Sequence, residues 1–262
     1  MEVIVRGTRI RVETSGRRTG DTPPLVLVHG AGGDASLWAP QEERFREETR
    51  VLRVELPGHG GSGGGGETTV PAYAGWVEEV VRAAVSDRYV LAGHSMGGAV
   101  ALQMALNGSE GLAGVVLVAT GARLGVAPVV FRLIREDFQG FLQTIDRAAL
   151  GPDATPEVRD AVAAALRRCP PQVVHGDFLA CDRFDVRERL GEVRVPALVV
   201  CGEEDRLAPV RLSESLAAGI PGAGLLRVPG AGHLVMLERP GEVNEGMAAF
   251  LRETVLQPSP AQ

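Results

Sequence analysis

Two hydrophobic periods divide this chain. Residues 2–5 and 9–13 alternate apolar with polar side chains around Gly7-Thr8, which predicts two short strands joined by a turn. From Pro24 onward the alternation gives way to short, wholly apolar runs at 25–28, 51–54, 89–92, 115–119, 197–201 and 225–228. Runs of that length suit strands buried on both faces. Between them, Tyr73, Trp76, Val77, Val80, Val81 and Ala84 recur at helical spacing, as do Val243, Met247, Phe250 and Leu251. Strands alternating with amphipathic helices predict an α/β fold: a mostly parallel central sheet of about eight strands with helices on both faces.

The strand rhythm stops after Thr120 and resumes at Pro196, a gap of about 75 residues that is too long for one structureless loop. Phe131, Ile134, Phe138 and Leu142 predict one helical face there. Val158, Ala161, Val162, Ala165 and Leu166 predict another, closed by Pro170-Pro171. The expectation is a helical cap inserted after the sixth strand. Residues 1–120 and 196–262 then form the core domain, and residues 121–195 the cap. Phe131, Phe138 and Phe141 are expected to serve packing, while His175 is a candidate to reach a substrate.

Composition narrows the chemistry. All 27 basic residues are arginine, so a phosphate-loop lysine, a Schiff-base lysine and a Ser-x-x-Lys nucleophile are excluded. The net charge is −6 and no block of basic residues occurs, which argues against a nucleic-acid partner. The first residues lack the apolar run of a signal peptide, and no run is long enough to cross a membrane; a cytoplasmic protein is expected. Cys169, Cys181 and Cys201 form no CxxC pair, and no histidine lies at ligand spacing, so neither metal nor cofactor is expected.

Three glycine motifs compete. Gly30-Ala31-Gly32-Gly33-Asp34-Ala35 follows a strand and fits the dinucleotide pattern G-x-G-x-x-G/A, with Glu55 near the position of a ribose-binding acid. Gly93-His94-Ser95-Met96-Gly97 fits G-x-S-x-G, and so does Gly60-Gly61-Ser62-Gly63-Gly64. Context separates the two serines. Ser95 lies between an apolar strand and a helix start, the setting of a strained nucleophile elbow, whereas Ser62 lies in a glycine-rich loop. A serine hydroxyl needs a base and an orienting acid. Asp205 leaves the strand at 197–201 and His233 leaves the strand at 225–228, so both arrive at the carboxyl edge where parallel sheets form sites.

Ser95, Asp205 and His233 in that order, with His29-Gly30, Pro57-Gly58-His59-Gly60 and Gly232-His233 around them, resemble the α/β-hydrolase fold superfamily over nearly the whole chain. The resemblance implies Ser95 as nucleophile, His233 as base and Asp205 as its orienting acid. It also implies an oxyanion hole from the backbone N–H groups of Met96 and Ala31, with Gly32 as the neighbouring alternative to Ala31. His29, His59 and His94 then have structural places, and the glycines at 30–33 approach an oxyanion instead of a pyrophosphate. One departure is Glu55, where the family often has aspartate. The expected function is a serine hydrolase cleaving a carboxylic ester, or a related acyl bond, of a small-molecule acyl substrate. Carbon–carbon bond hydrolase, enol-lactonase and cofactor-free haloperoxidase activities are alternatives within the fold. Outside it stand a non-catalytic binding protein and a nucleotide-dependent oxidoreductase, the latter having no use for Ser95 or His233.

Overall fold

In the computed structural model, which describes residues 1–17, 22–86 and 88–256, the alternating segment and all six apolar runs enter one sheet. Its strands are β1 (Glu2–Val5), β2 (Thr8–Ser15), β3 (Leu25–Val28), β4 (Val51–Val54), β5 (Tyr89–His94), β6 (Leu112–Val118), β7 (Ala197–Gly202) and β8 (Gly224–Val228). They lie in the order β1-β2-β4-β3-β5-β6-β7-β8. β2 pairs antiparallel with β1 and β4, and every other pair is parallel. The expected fold class is the one observed.

Helices α1 (Ala39–Phe45), α2 (Val70–Ala84) and α3 (Met96–Asn107) follow the early strands. Helices α4 (Pro128–Glu136), α5 (Phe138–Ala149), α6 (Pro156–Arg168) and α7 (Pro171–Asp182) occupy the interval between β6 and β7; α8 (Val210–Gly219), α9 (Val235–Glu238) and α10 (Pro240–Leu256) complete the chain. Because side chains alternate along a strand, β3 feeds two cores. Val26 and Val28 pack with α2 and α3 on one face, and Leu25 and Leu27 pack with Phe45 of α1 and Met247 of α10 on the other. The inserted helices contribute to both cores, Ala180 and Cys181 to the first and Val173 and Val174 to the second.

Three local expectations needed correction. The single helical face read over 131–142 is two helices, because Asp137 leaves helical geometry and its side chain accepts the Gly140 N–H at the start of α5. Pro170-Pro171 ends α6 and also opens α7, since proline at the first helical position gives up only an N–H that has no intrahelical partner. β6 begins at Leu112, three residues before the predicted start, because Gly114 hides the apolar run. Its bare Cα admits Phe250, whose ring would stand 3.0 Å from an added Cβ. β8 is an edge strand and is only partly covered, with Leu225 39% exposed. Among the described residues no helix is long and apolar enough to cross a membrane.

Candidate active site

Ser95 joins β5 directly to α3 at φ 54°, ψ −115°, a left-handed conformation that a side chain rarely tolerates. The surroundings hold it there. Its N–H donates to the Val118 carbonyl at 2.9 Å, and its own carbonyl accepts Thr120 Oγ1 at 2.8 Å and the Ala99 N–H at 3.1 Å. Such a sharp turn brings backbone against backbone. A Cβ on Gly97 would stand 2.4 Å from the Val28 carbonyl oxygen, and one on Gly98 would stand 2.7 Å from Thr120 Cγ2. Ser62 has a different occupation: its hydroxyl donates to the Glu55 carbonyl at 2.7 Å and accepts the Arg11 N–H at 2.9 Å, pinning its loop to β2. The Glu55 carboxylate accepts the Gly61 N–H at 2.6 Å, so it serves the same loop.

β7 and β8 deliver the other two side chains. Asp205 accepts the N–H groups of Leu207 and Ala208 on Oδ1, each at 2.8 Å, and meets His233 Nδ1 at 2.8 Å with Oδ2. Among the described residues both oxygens of this buried carboxyl are therefore taken up as acceptors. His233 must then carry its proton on Nδ1, which leaves Nε2 as the lone-pair nitrogen. Two contacts fix the loop carrying His233: its N–H donates to the Ala149 carbonyl, and the Glu238 carboxylate accepts from Gly232 and Gly151. Among the described residues no hydrogen bond joins Ser95 Oγ to the His233 ring. The two line the same cavity, and such contacts are often long before substrate binds.

The turn after β3 lies beside them, since Val28 of β3 pairs with Gly93 of β5. Gly33 N–H donates to the Gly30 carbonyl at 3.1 Å, which places Ala31 and Gly32 at the centre of a β-turn. Gly32, at φ 65°, occupies the position where that turn needs glycine. Its N–H is engaged by Asp177 Oδ2 at 2.8 Å, whereas Ala31, which lines the cavity, has no acceptor for its N–H among the described residues. Met96 opens α3, where the amide lacks an intrahelical partner.

The cavity around Ser95 has a volume of about 300 Å³. Phe141 and Ile145 from α5, Phe178 from α7, and Leu207 beyond β7 supply much of its apolar wall, and Arg206 supplies a permanent charge. Phe141 therefore faces the cavity as well as packing against Phe138 and Phe178. His175 is not among the lining residues; its ring rests on Phe131 at 5.6 Å.

A strand-to-helix serine, a histidine–carboxylate pair and the turn after β3 at one sheet edge agree with the comparison to known families, in which residues 25–245 match the alpha/beta hydrolase family. The chain belongs to that family. It is 34% identical, across 88% of its length, to the dihydrolipoyllysine-residue acetyltransferase component of the acetoin cleaving system of Pseudomonas putida, and it spans 64% of that protein. It is 32% identical to the pimeloyl-[acyl-carrier protein] methyl ester esterase of Vibrio atlanticus (strain LGP32), over 78% of this chain and 84% of the relative. The enol-lactonase structure from Burkholderia xenovorans LB400 matches with a TM-score of 0.90 at 26% identity, covering 96% of this chain and 100% of that one.

Within this α/β-hydrolase the remaining buried histidines divide by charge. His29 donates Nδ1–H to the Gly30 carbonyl at 2.8 Å and accepts the Leu56 N–H on Nε2 at 3.1 Å, which fixes a neutral ring. Burial, reinforced by His59, lowers its pKa from 6.5 to about 4. His94, whose Nε2 meets the His233 carbonyl at 2.9 Å, is held well below the usual range, first by burial and then by His233. His59 is the opposite case. Burial disfavours its charge, but Asp177 at 2.8 Å overrides that and raises its pKa well above 6.5. His59, Asp177 and Cys169 are also donor types that can hold a metal, with candidate ligand atoms within 4.8 Å of one another. The Asp177 oxygens already receive Gly32 N–H, His59 and Tyr73 Oη, so hydrogen bonds satisfy the carboxylate without an ion.

The neutral histidines predict acid lability. Between pH 6.5 and about 4 the unfolded chain binds a proton at residue 29 that the folded chain refuses, so stability falls as pH falls. From His29 alone the loss across that window is about 3 kcal/mol. Urea unfolding at several pH values checks this: the midpoint should drop on acidification, and drop less steeply in His29→Gln. A midpoint flat from pH 7 to 4 would contradict the assignment.

Proposed function

We propose that this protein is a serine hydrolase that cleaves a carboxylic ester, or a related acyl bond, through an acyl-enzyme on Ser95. The observation that carries the reading is that the strained Ser95, His233 held through Nδ1 by Asp205, and Ala31, whose amide has no acceptor among the described residues, come together at one cavity lined by Ser95, His233 and Ala31. His233 Nε2 takes the proton from Ser95 Oγ as the oxygen attacks the acyl carbonyl, while Asp205 stabilises the imidazolium that forms. Negative charge gathers on the carbonyl oxygen, where the amides of Ala31 and Met96 receive it. Collapse of the adduct expels the alcohol, which takes the proton from His233, and the ester of Ser95 remains. Water, activated by the same histidine, then releases the acid and restores the hydroxyl.

Residues 121–195 act in this reading as the cap, with α5 and α7 shaping the substrate pocket. A mostly apolar cavity of about 300 Å³ lies at the small end of ligand pockets and suits a short or medium acyl group. An enol-lactone is an internal ester open to the same attack, and the likeness to the Burkholderia enol-lactonase supports keeping it beside open-chain esters.

A fluorophosphonate probe tests the nucleophile. Wild-type protein and Ser62→Ala should be labelled, and Ser95→Ala should not. No labelling of the wild type would favour a binding role. A panel of p-nitrophenyl esters run beside lactones should show kcat/KM highest for short or medium chains; activity confined to lactones would move the assignment to lactonase.

A further inference from the structure

The carboxylate of Asp177 lies in α7, is fully buried, and is not part of the Ser95–His233–Asp205 set. Its partners come from three separate segments. Oδ2 accepts the Gly32 N–H at 2.8 Å and faces His59 Nε2 at 2.8 Å, and Oδ1 accepts Tyr73 Oη at 2.5 Å. Tyr73 Oη in turn accepts the Glu67 N–H at 2.9 Å, so its own proton points to Asp177. The other ring nitrogen of His59 faces the Pro57 carbonyl at 3.0 Å. The Pro57 carbonyl can only accept, and, against burial, the Asp177 carboxyl at the other nitrogen raises the pKa of His59 well above the usual range, so this ring favours its charged form. A buried ion pair of this kind gives little net stability unless its geometry is fixed, and specificity of arrangement is its best-attested use.

Gly32 is the second central residue of the turn whose first central residue is Ala31. The N–H that Asp177 holds belongs to the peptide joining the two. Rotation of that peptide would exchange the directions of the Gly32 N–H and the Ala31 carbonyl and break its bond to Asp177, and loss of that tether would free the turn that carries Ala31 to shift along the cavity wall. Neighbouring contacts fix the same turn. Arg168 of α6 donates to Asp34 Oδ2 at 2.9 and 2.6 Å, and Leu166 lies where a Cβ on Gly32 would be only 2.8 Å from Cδ2.

We propose that Asp177 is a positioning residue for the oxyanion hole: through Gly32 it anchors the turn that carries Ala31, so that the Ala31 N–H is placed to meet the developing oxyanion only when α7 is seated on the sheet edge. This rests on the Ser95 reading above. It makes seating of the inserted helices a condition of transition-state stabilisation and not only of substrate enclosure. A carboxylate side chain is suited to the task because its two oxygens can accept from Gly32 and from Tyr73 at once.

The test is Asp177→Ala, with Ile134→Ala as a control that weakens α4 packing away from the turn. Activity, thermal unfolding and the Ki of a trifluoromethyl ketone, which forms a tetrahedral adduct with a serine, are measured for both. The expected result for Asp177→Ala is a kcat lower by about 10- to 100-fold, KM changed by less than about threefold, and Ki raised in parallel with the loss in kcat/KM. Ile134→Ala should lower the unfolding temperature and leave kcat and Ki near wild type. Three results would overturn the proposal. One is an Asp177→Ala protein with wild-type kcat and Ki. Another is a rise in KM at unchanged kcat. The third is one equivalent of zinc bound by the wild-type protein, which would make His59, Cys169 and Asp177 a metal site. If Ser95→Ala retains wild-type hydrolysis, the Ser95 reading fails instead, independently of what Asp177→Ala does.

Discussion

Replacing Ser95 by alanine is expected to lower kcat on a reactive ester by about 10⁴- to 10⁶-fold without unfolding the protein, and His233→Ala is expected to lower it as far. The two losses should not add. Once the hydroxyl is gone the base has no proton to take, and without the base the hydroxyl remains a poor nucleophile at neutral pH. The double variant should therefore be about as active as either single one. Asp205→Asn should cost about 10⁴-fold, because an amide can present N–H to His233 Nδ1 and drive the ring proton to Nε2, where the lone pair is needed. What survives in each variant comes from the Ala31 and Met96 amides and from binding. Steady-state kinetics with circular dichroism of each variant checks this. A Ser95→Ala enzyme within tenfold of wild type would remove Ser95 as the nucleophile.

Much of this arrangement was readable in the chain because several levels of structure agree there. The run Tyr89-Val90-Leu91-Ala92 has to be a strand, Met96 onward has to be a helix, and nothing but Gly-His-Ser lies between them, so a tight turn at Ser95 follows from connectivity. Asp205 and His233 were legible because each sits just past an apolar run at one sheet edge. Elements with mixed signals were harder. Asp137 looked like one polar position on a continuous helix, although aspartate is a strong cap and breaks the run in two. Gly114 disguised the start of β6, because a glycine chosen for close approach of Phe250 reads as a loop residue.

Asp177 was missed for a different reason. Its role depends on Gly32, 145 positions away, and on His59, 118 positions away, and no local pattern encodes such pairings. A signal did exist. Val173, Val174, Asp177, Ala180 and Cys181 follow the helical period of a buried stripe, and a carboxylate on that stripe has to find donors inside the protein. The same reasoning applies to His59, whose charge cannot be read from its position in Pro57-Gly58-His59-Gly60. The proposed choice of Ala31 over Gly32 as oxyanion donor likewise rests on coordinates, because the capture of Gly32 by Asp177 distinguishes two adjacent amides.

A second large effect is expected at the elbow itself, where Gly93→Ala should cost about 4 kcal/mol or more and leave little folded enzyme. The reason is space and not conformation, because Gly93 is not among the residues of positive φ. A methyl group there would stand 2.0 Å from the Gly97 carbonyl oxygen, 2.3 Å from its carbon and 2.6 Å from the Gly98 nitrogen. All three are backbone atoms of the first turn of α3, so relief requires moving the helix away from β5, and Gly97 has no room to follow. Its own Cα lies against the carbonyls of Val28 and His29, where a Cβ would stand 2.4 and 2.5 Å from the oxygens. Gly108 supplies the contrast. It ends α3 at φ 66° with nothing within 4 Å of an added Cβ, so Gly108→Ala should cost only the left-handed strain, about 1 kcal/mol. Urea unfolding of the two variants separates the effects. A Gly93→Ala protein as stable as Gly108→Ala would mean that strand and helix can part at the serine, and that the strain at Ser95 is not imposed by their packing.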